Sequence, residues 1–181
     1  MRILRTAARF AVLVVAVGCG GRPETKAPAA TARPDSTVLP DLAGQARPLS
    51  SYSGANGLLV VFADTRCPFS AVASSEMPTV ATGLAEHGVG SVLVNLGEPL
   101  DAVTKVYGTV LAGVPVVYDT GHATGRLWGV KLVPTALLLD SAGNTVYRGS
   151  PVWADVGAKL AERLHIPAES VRLEAQGTSG G

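Results

Sequence analysis

Apolar positions along this chain come in two rhythms, short unbroken runs and longer stretches spaced for one face of a helix. Leu58-Leu59-Val60-Val61-Phe62 is an unbroken run, the mark of a strand buried on both faces. Pro68 to Glu86 then sets Phe69, Val72, Ala73, Met77, Val80, Ala81 and Leu84 at helical spacing. Pro78 lies inside that helix, where a missing donor and a ring clash predict a kink. Ser91 to Leu96 reads as a second buried strand, Asp101 to Leu111 as a helix, Val114 to Tyr118 as a third strand and His122 to Trp128 as a short helix. Thr135 to Leu139 is a fourth strand, which Ser141-Ala142-Gly143-Asn144 turns into Thr145 to Arg148 as a tight hairpin. Trp153 to Leu164 closes as an amphipathic helix through Trp153, Val156, Leu160 and Leu164. Strand-helix-strand units followed by a hairpin and a last helix predict an α/β domain, its central mixed sheet covered by helices on both faces.

The ends of the chain follow other rules. Arg2, Arg5 and Arg9 without an acid, then an apolar run from Phe10 to Val17, form a leader too short to cross a membrane, for which about 20 apolar residues are needed. The leader resembles a bacterial lipoprotein signal over residues 1–18, with Ala16-Val17-Gly18-Cys19 in the place of a lipobox. That resemblance implies Cys19 as the lipidated first residue of the mature chain, a lipid anchor in a membrane, and a place in the cell envelope on the extracytoplasmic (periplasmic) face. Residues 19–36, rich in Pro, Ala, Thr and Gly, read as a flexible tether; residues 37–166 form the domain; residues 167–181, ending in Gly-Thr-Ser-Gly-Gly, read as a disordered tail.

Charge narrows the partners. With 15 basic against 14 acidic residues the net charge is +1, and the basic residues are scattered, which argues against nucleic acid. The glycines fall at turns and helix ends and form no phosphate-binding G-x-G-x-x-G after a strand, so no cofactor is expected. His87, His122 and His165 stand far apart with no ligand spacing, and no metal is expected either.

Of the two cysteines, Cys19 and Cys67, lipidation of the first leaves Cys67 as the only thiol for redox chemistry. Cys67 follows strand 58–62 and precedes Pro68, a residue favoured in the first position of a helix. The sulfur therefore lies at a helix N-terminus on the carboxyl edge of the sheet, where free N–H groups favour a thiolate and Arg66 is placed to add to them. Ser70, three residues along, faces Cys67; its hydroxyl can bond the sulfur or cap the first turn, with capping the expected role. Asp64 next to Arg66 reads as a solvated ion pair.

Phe62-Ala63-Asp64-Thr65-Arg66-Cys67-Pro68-Phe69-Ser70, with Glu76-Met77-Pro78 on the next helix, resembles the thioredoxin-like redoxins of the TlpA/ResA type and the related thiol-specific antioxidant group. Val130 to Asp140, then Gly143 and Arg148-Gly149, is similar to that family's segment from the Gly-Val before its cis-proline through the hairpin, and the resemblance spans roughly Leu39 to Leu164. It implies a thioredoxin-like fold, Pro134 as a cis-proline facing Cys67, and Val133 as backbone pairing for a bound partner peptide. With Arg66 these residues form the implied substrate site.

The departures from the family matter equally. Its usual CxxC is Cys67-Pro68-Phe69-Ser70 here, so the resolving cysteine is a serine and a dithiol cycle within the domain is ruled out. Asp64 stands where a peroxiredoxin has Thr, and the CxxxC pair of copper chaperones is missing. The expected function is membrane-anchored thiol-disulfide exchange by one cysteine. Its partners are disulfide-bearing or oxidised envelope proteins, or small thiols. Two other classes stay open: a one-cysteine thiol peroxidase, for which Arg126 or Arg148 would have to stand beside Cys67, and a non-catalytic peptide-binding lipoprotein using the cleft at Pro134.

Overall fold

The computed structural model describes residues 34–173. The leader, Cys19, most of the tether and residues 174–181 lie outside them. In chain order the elements are β1 (Val38–Pro40), β2 (Ala46–Pro48), β3 (Gly57–Ala63), α1 (Pro68–Glu86), β4 (Val89–Leu96), α2 (Leu100–Val110), β5 (Val116–Asp119), α3 (Ala123–Leu127), β6 (Thr135–Asp140), β7 (Thr145–Gly149) and α4 (Trp153–Leu164). Strands β5-β4-β3-β6-β7 make one five-stranded sheet, parallel from β5 to β3 and antiparallel from β3 through β6 to β7. This is the mixed thioredoxin-like sheet expected from the chain's rhythm.

Every residue of β3 is buried, because the strand is paired on both edges and covered on both faces. Its alternation sorts the core. Leu59, Val61 and Ala63 pack with Met77, Val80 and Leu84 of α1, Val103 and Tyr107 of α2, and Val156 and Leu160 of α4. Leu58, Val60 and Phe62 pack on the other side with Leu39, Leu49 and Trp128, whose ring meets Phe62 edge-on at 5.9 Å between centroids. A period of two along one strand thus supplies both layers.

Helix α1 is continuous through Pro78, and Met77, Val80 and Leu84 on either side of the proline are all fully buried. Helix α2 begins at Leu100 rather than Asp101, and β5 runs over 116–119 rather than 114–118. The hairpin β1-β2 has no counterpart in the sequence reading. Its strands are three residues long and each ends in proline, so no alternation is visible; what shapes it is Asp41, whose Oδ1 accepts the N–H groups of Ala43 and Gln45, both at 2.9 Å.

The ordered fold is longer than the 37–166 expected. Pro34–Ser36 forms a 3-10 turn with Asp35 buried. At the far end the expected disordered tail begins instead with a 3-10 turn at Ala168–Ser170, and Val171 and Leu173 are buried in the α1-α2-α4 layer. Glycines admit this segment: a Cβ at Gly157 would meet the Val171 carbonyl at 3.0 Å, and one at Gly83 would meet Leu173 Cδ2 at 3.2 Å. Two apolar residues after a proline are too few to show a period, so burial here comes from tertiary fit.

Leu173→Ala is expected to lower stability by about 2–4 kcal/mol in urea titration with little change in slope, as for other fully buried leucines; an unchanged midpoint would return residues 167–173 to the tail.

Candidate functional site

Cys67 is the N-cap residue of α1, extended at φ −88°, with Pro68 behind it in the first helical position. Strand β3 delivers it. The antiparallel register Phe62↔Thr135 sets the chain leaving β3 beside the chain entering β6, so Val133 and Pro134 face Cys67 across 66 residues of sequence. The Val133–Pro134 bond is cis, and the Cys67 thiol donates to the Val133 carbonyl oxygen over 3.6 Å. Cys67 is partly exposed and free.

The thiol pKa lies below its ordinary value. The backbone N–H of Ser70 at the sulfur is the largest cause; desolvation opposes it, the Ser70 hydroxyl and the Phe69 N–H add to it, and the charge of Asp64 opposes it. The thiol's long contact with Val133 holds the proton only weakly, whereas three donors at the helix mouth stabilise the anion, so the donors win.

Two expectations are corrected here. Ser70 does not cap the helix: its hydroxyl, fully buried, accepts the N–H of Asp64 at 3.3 Å and lies against Cys67. Nor does Arg66 assist the thiolate. Its guanidinium binds Asp64 Oδ2 at 2.7 Å and approaches Glu98 Oε1 at 3.5 Å, so it is engaged by two carboxylates. The Asp64-Arg66 pair itself is as expected, and the Arg66 contact holds the Asp64 carboxyl below the usual carboxylate range. Of the arginines a peroxidase would need, Arg148 donates to the Trp128 carbonyl at 2.5 Å, and Arg126 is exposed on α3.

Beside the sulfur runs a groove of about 360 Å³ lined by Phe69, Val72, Glu76, Leu132, Val133 and Pro134. Phe69 and Leu132 are 74% and 79% exposed, so two large apolar side chains flank the thiol in solvent. At the groove's floor the Glu76 carboxylate accepts the Trp153 indole N–H at 2.6 Å, which ties α1 to α4.

Under the first turns of α1 lies a polar pocket that the sequence analysis does not foresee. Glu98, 5% exposed, accepts from Thr65 N at 2.7 Å, Thr65 Oγ1 at 2.5 Å and Asn95 Nδ2 at 2.7 Å. Ser74 faces the Tyr107 hydroxyl, whose pKa is raised by burial despite that neighbour. The available signal was Asn95, an amide inside the apolar run Ser91 to Leu96; a buried amide demands partners. A glutamate before a proline at a strand's end carries no such mark.

Comparison with known proteins places these features in a family. The redoxin family model matches residues 22–156. The chain is 28% identical over 109 residues to the thiol-disulfide oxidoreductase ResA of Halalkalibacterium halodurans, a match covering 60% of this chain and 61% of that protein's length. Among solved structures it is similar to a secreted Mycobacterium tuberculosis disulfide oxidoreductase homologous to DsbE of E. coli (TM-score 0.61, 13% identity, 71% of this chain and 97% of the other). It is also similar to the peroxidoxin BcpB of M. tuberculosis (TM-score 0.58, 19% identity, 72% and 93%). At such identities the structural likeness speaks to the fold alone. A cysteine presented at a helix N-terminus beside a cis-proline, on a sheet of this order and under a family match over most of its length, makes this chain a member of the redoxin family, of the TlpA/ResA type.

Proposed function

We propose that this chain is an extracytoplasmic, lipid-anchored thiol-disulfide exchange protein that acts through Cys67 alone. The observation that carries the reading is the sulfur's position: at the mouth of α1, below its ordinary pKa, and 3.6 Å from the backbone of the cis-proline loop. A thiolate there is available as a nucleophile near neutral pH. The name of the ResA relative and the secreted M. tuberculosis neighbour support the redox class and the compartment.

In the proposed step the Cys67 thiolate attacks one sulfur of a partner disulfide. The Cys67–S–S–partner bond forms, the partner's own S–S bond breaks, and its second sulfur leaves as a thiolate. A thiol from another protein or a small molecule then attacks the partner's sulfur in the mixed disulfide, forming a new disulfide and returning the Cys67 thiolate. Each step breaks one disulfide and forms one, so the chain exchanges disulfides and performs no net reduction. Ser70 supplies hydrogen bonds and no sulfur, and the apolar rim of Phe69 and Leu132 suits an extended apolar segment around the partner's cysteine.

Alkylation of Cys67 followed against pH is expected to give a midpoint clearly below the free-thiol value of about 8.5. The rate rises with pH through that midpoint because only the anion reacts. Ser70→Ala removes one of the anion's donors and is expected to move the curve to higher pH. A wild-type midpoint at or above 8.5 would instead favour an inert thiol and the peptide-binding reading.

With a peptide disulfide as probe, the wild-type chain is expected to accumulate a stable mixed disulfide visible by mass spectrometry, and Cys67→Ser to form none. Ser70→Cys restores a resolving thiol three residues along the helix and is expected to remove that accumulation, leaving an internal disulfide. Persistence of the mixed species in Ser70→Cys would count against the monothiol account.

A further inference from the structure

The loop that presents Cys67 is short and its own side chains leave it only half anchored. Asp64 closes it on itself, Oδ1 accepting the Arg66 N–H at 2.7 Å while the Asp64 carbonyl accepts the Cys67 N–H at 3.2 Å. Between them Thr65 turns both its N–H and its hydroxyl to a single acceptor on another element, the Glu98 carboxylate beyond the end of β4. Glu98 reaches back because Gly97 takes φ +78°, and because the His122 ring lies where a Gly97 Cβ would stand, 2.0 Å from Nε2. Asn95 supports the same carboxylate through Nδ2, leaving its Oδ1 buried and without a hydrogen-bond partner among the described residues.

We propose that Glu98 is the positioning residue for Cys67: through Thr65 it fixes the loop whose exit angle lines the sulfur up with the N–H groups of α1 and with Val133. This rests on the exchange reading above. A buried carboxylate receiving three hydrogen bonds is costly to desolvate, and these donors, two of them from the residue two before the cysteine, are its compensation. Glu98 touches no reacting atom. It acts on geometry, and misplacement by about 1 Å is enough to slow an oriented reaction by as much as 10²-fold.

The charged and titratable groups around the sulfur are Asp64 and Arg66 on its loop, Glu98 after β4 and Tyr107 on α2, with His122 facing Asp64 from the α3 side. Two effects of Glu98 are therefore separable by sign. A negative charge can only disfavour a nearby thiolate, so loss of charge alone does not move the alkylation midpoint up. Its hold on Thr65 keeps the donors aimed at the sulfur, so loss of that hold moves the midpoint up.

The test uses the full chain, with iodoacetamide as the probe of ionisation and a peptide disulfide as the probe of orientation. Glu98→Ala is expected to raise the iodoacetamide midpoint and to slow exchange with the peptide disulfide about tenfold at pH above both midpoints, with the iodoacetamide plateau within about twofold of wild type. Glu98→Gln keeps the shape, and with its oxygen in the place of Oε2 it still accepts from the Thr65 N–H and Asn95 Nδ2 while its NH2 donates to the Thr65 hydroxyl; it is expected to restore most of the exchange rate with no rise in midpoint. If both variants shift the midpoint the same way, or if both lose thermal stability with midpoint and exchange unchanged, the positioning role is overturned. Should Glu98→Ala not fold, Thr65→Val deletes one of the donors and is expected to slow exchange about threefold; wild-type exchange in that variant overturns the proposal equally. A wild-type chain inert toward the peptide disulfide would sink the exchange reading instead, and the midpoint of Glu98→Ala would still decide the place of Glu98.

Discussion

The pairing of β3 with β6 is the constraint on which this site depends. Six residue pairs from Gly57↔Asp140 to Phe62↔Thr135 lock the two strands in one antiparallel register. A slip by one residue would turn every side chain of β3 to the opposite face, exchanging Leu59, Val61 and Ala63 for Leu58, Val60 and Phe62 against α1. Since both faces are buried in differently shaped layers, the slip is excluded by packing on each side. The same register sets Cys67 against Val133 and Pro134. The geometry at Cys67 is thus a by-product of core packing, transmitted through the four residues between Phe62 and Cys67 on one side and directly from Thr135 to Pro134 on the other.

What the sequence discloses and what it hides divide along the same physical line. The buried strands and the helices α1 and α4 were legible because their apolar residues recur with a period that one-dimensional reading can detect, and α1 and α4 begin and end where expected. The position of Cys67 was legible because Pro68 marks a helix start after a buried run. Pro134 as a cis-proline was legible only through resemblance, since no local feature of Leu132-Val133-Pro134-Thr135 sets its isomer. The hairpin β1-β2 and the segment Val171–Leu173 were not legible, being too short to repeat. Ser70 and Arg66 show a different failure: their neighbourhood was read correctly and their hydrogen bonds were not, because a hydroxyl or guanidinium chooses among acceptors that only the fold brings together. Asp64 and Glu98 reach Arg66 from residues 64 and 98, and the second is invisible from the first.

An acid near a thiolate looks like an error of design, since it raises the cost of ionising the sulfur. Asp64 does oppose the anion. Its charge, however, is already engaged by the Arg66 guanidinium at 2.7 Å, and pairing turns a net charge into a dipole whose field falls off faster with distance. The helix donors act through hydrogen bonds to the sulfur itself. Short-range, oriented hydrogen bonds therefore outweigh longer-range, partly cancelled charge, and the thiol pKa falls even with more carboxylate than guanidinium around it.

The serine at position 70 gives this balance its chemical meaning. In a CxxC site a second sulfur competes for the first, and the disulfide between them ends each encounter inside the domain. Here the same location holds a hydroxyl that accepts the Asp64 N–H and faces the Cys67 sulfur, a contact that strengthens when the sulfur ionises and cannot be oxidised into a bridge. The features that activate the nucleophile survive while the internal route of release does not. On the exchange reading proposed above, a mixed disulfide at Cys67 has no second sulfur of the C-x-x-C position to resolve it.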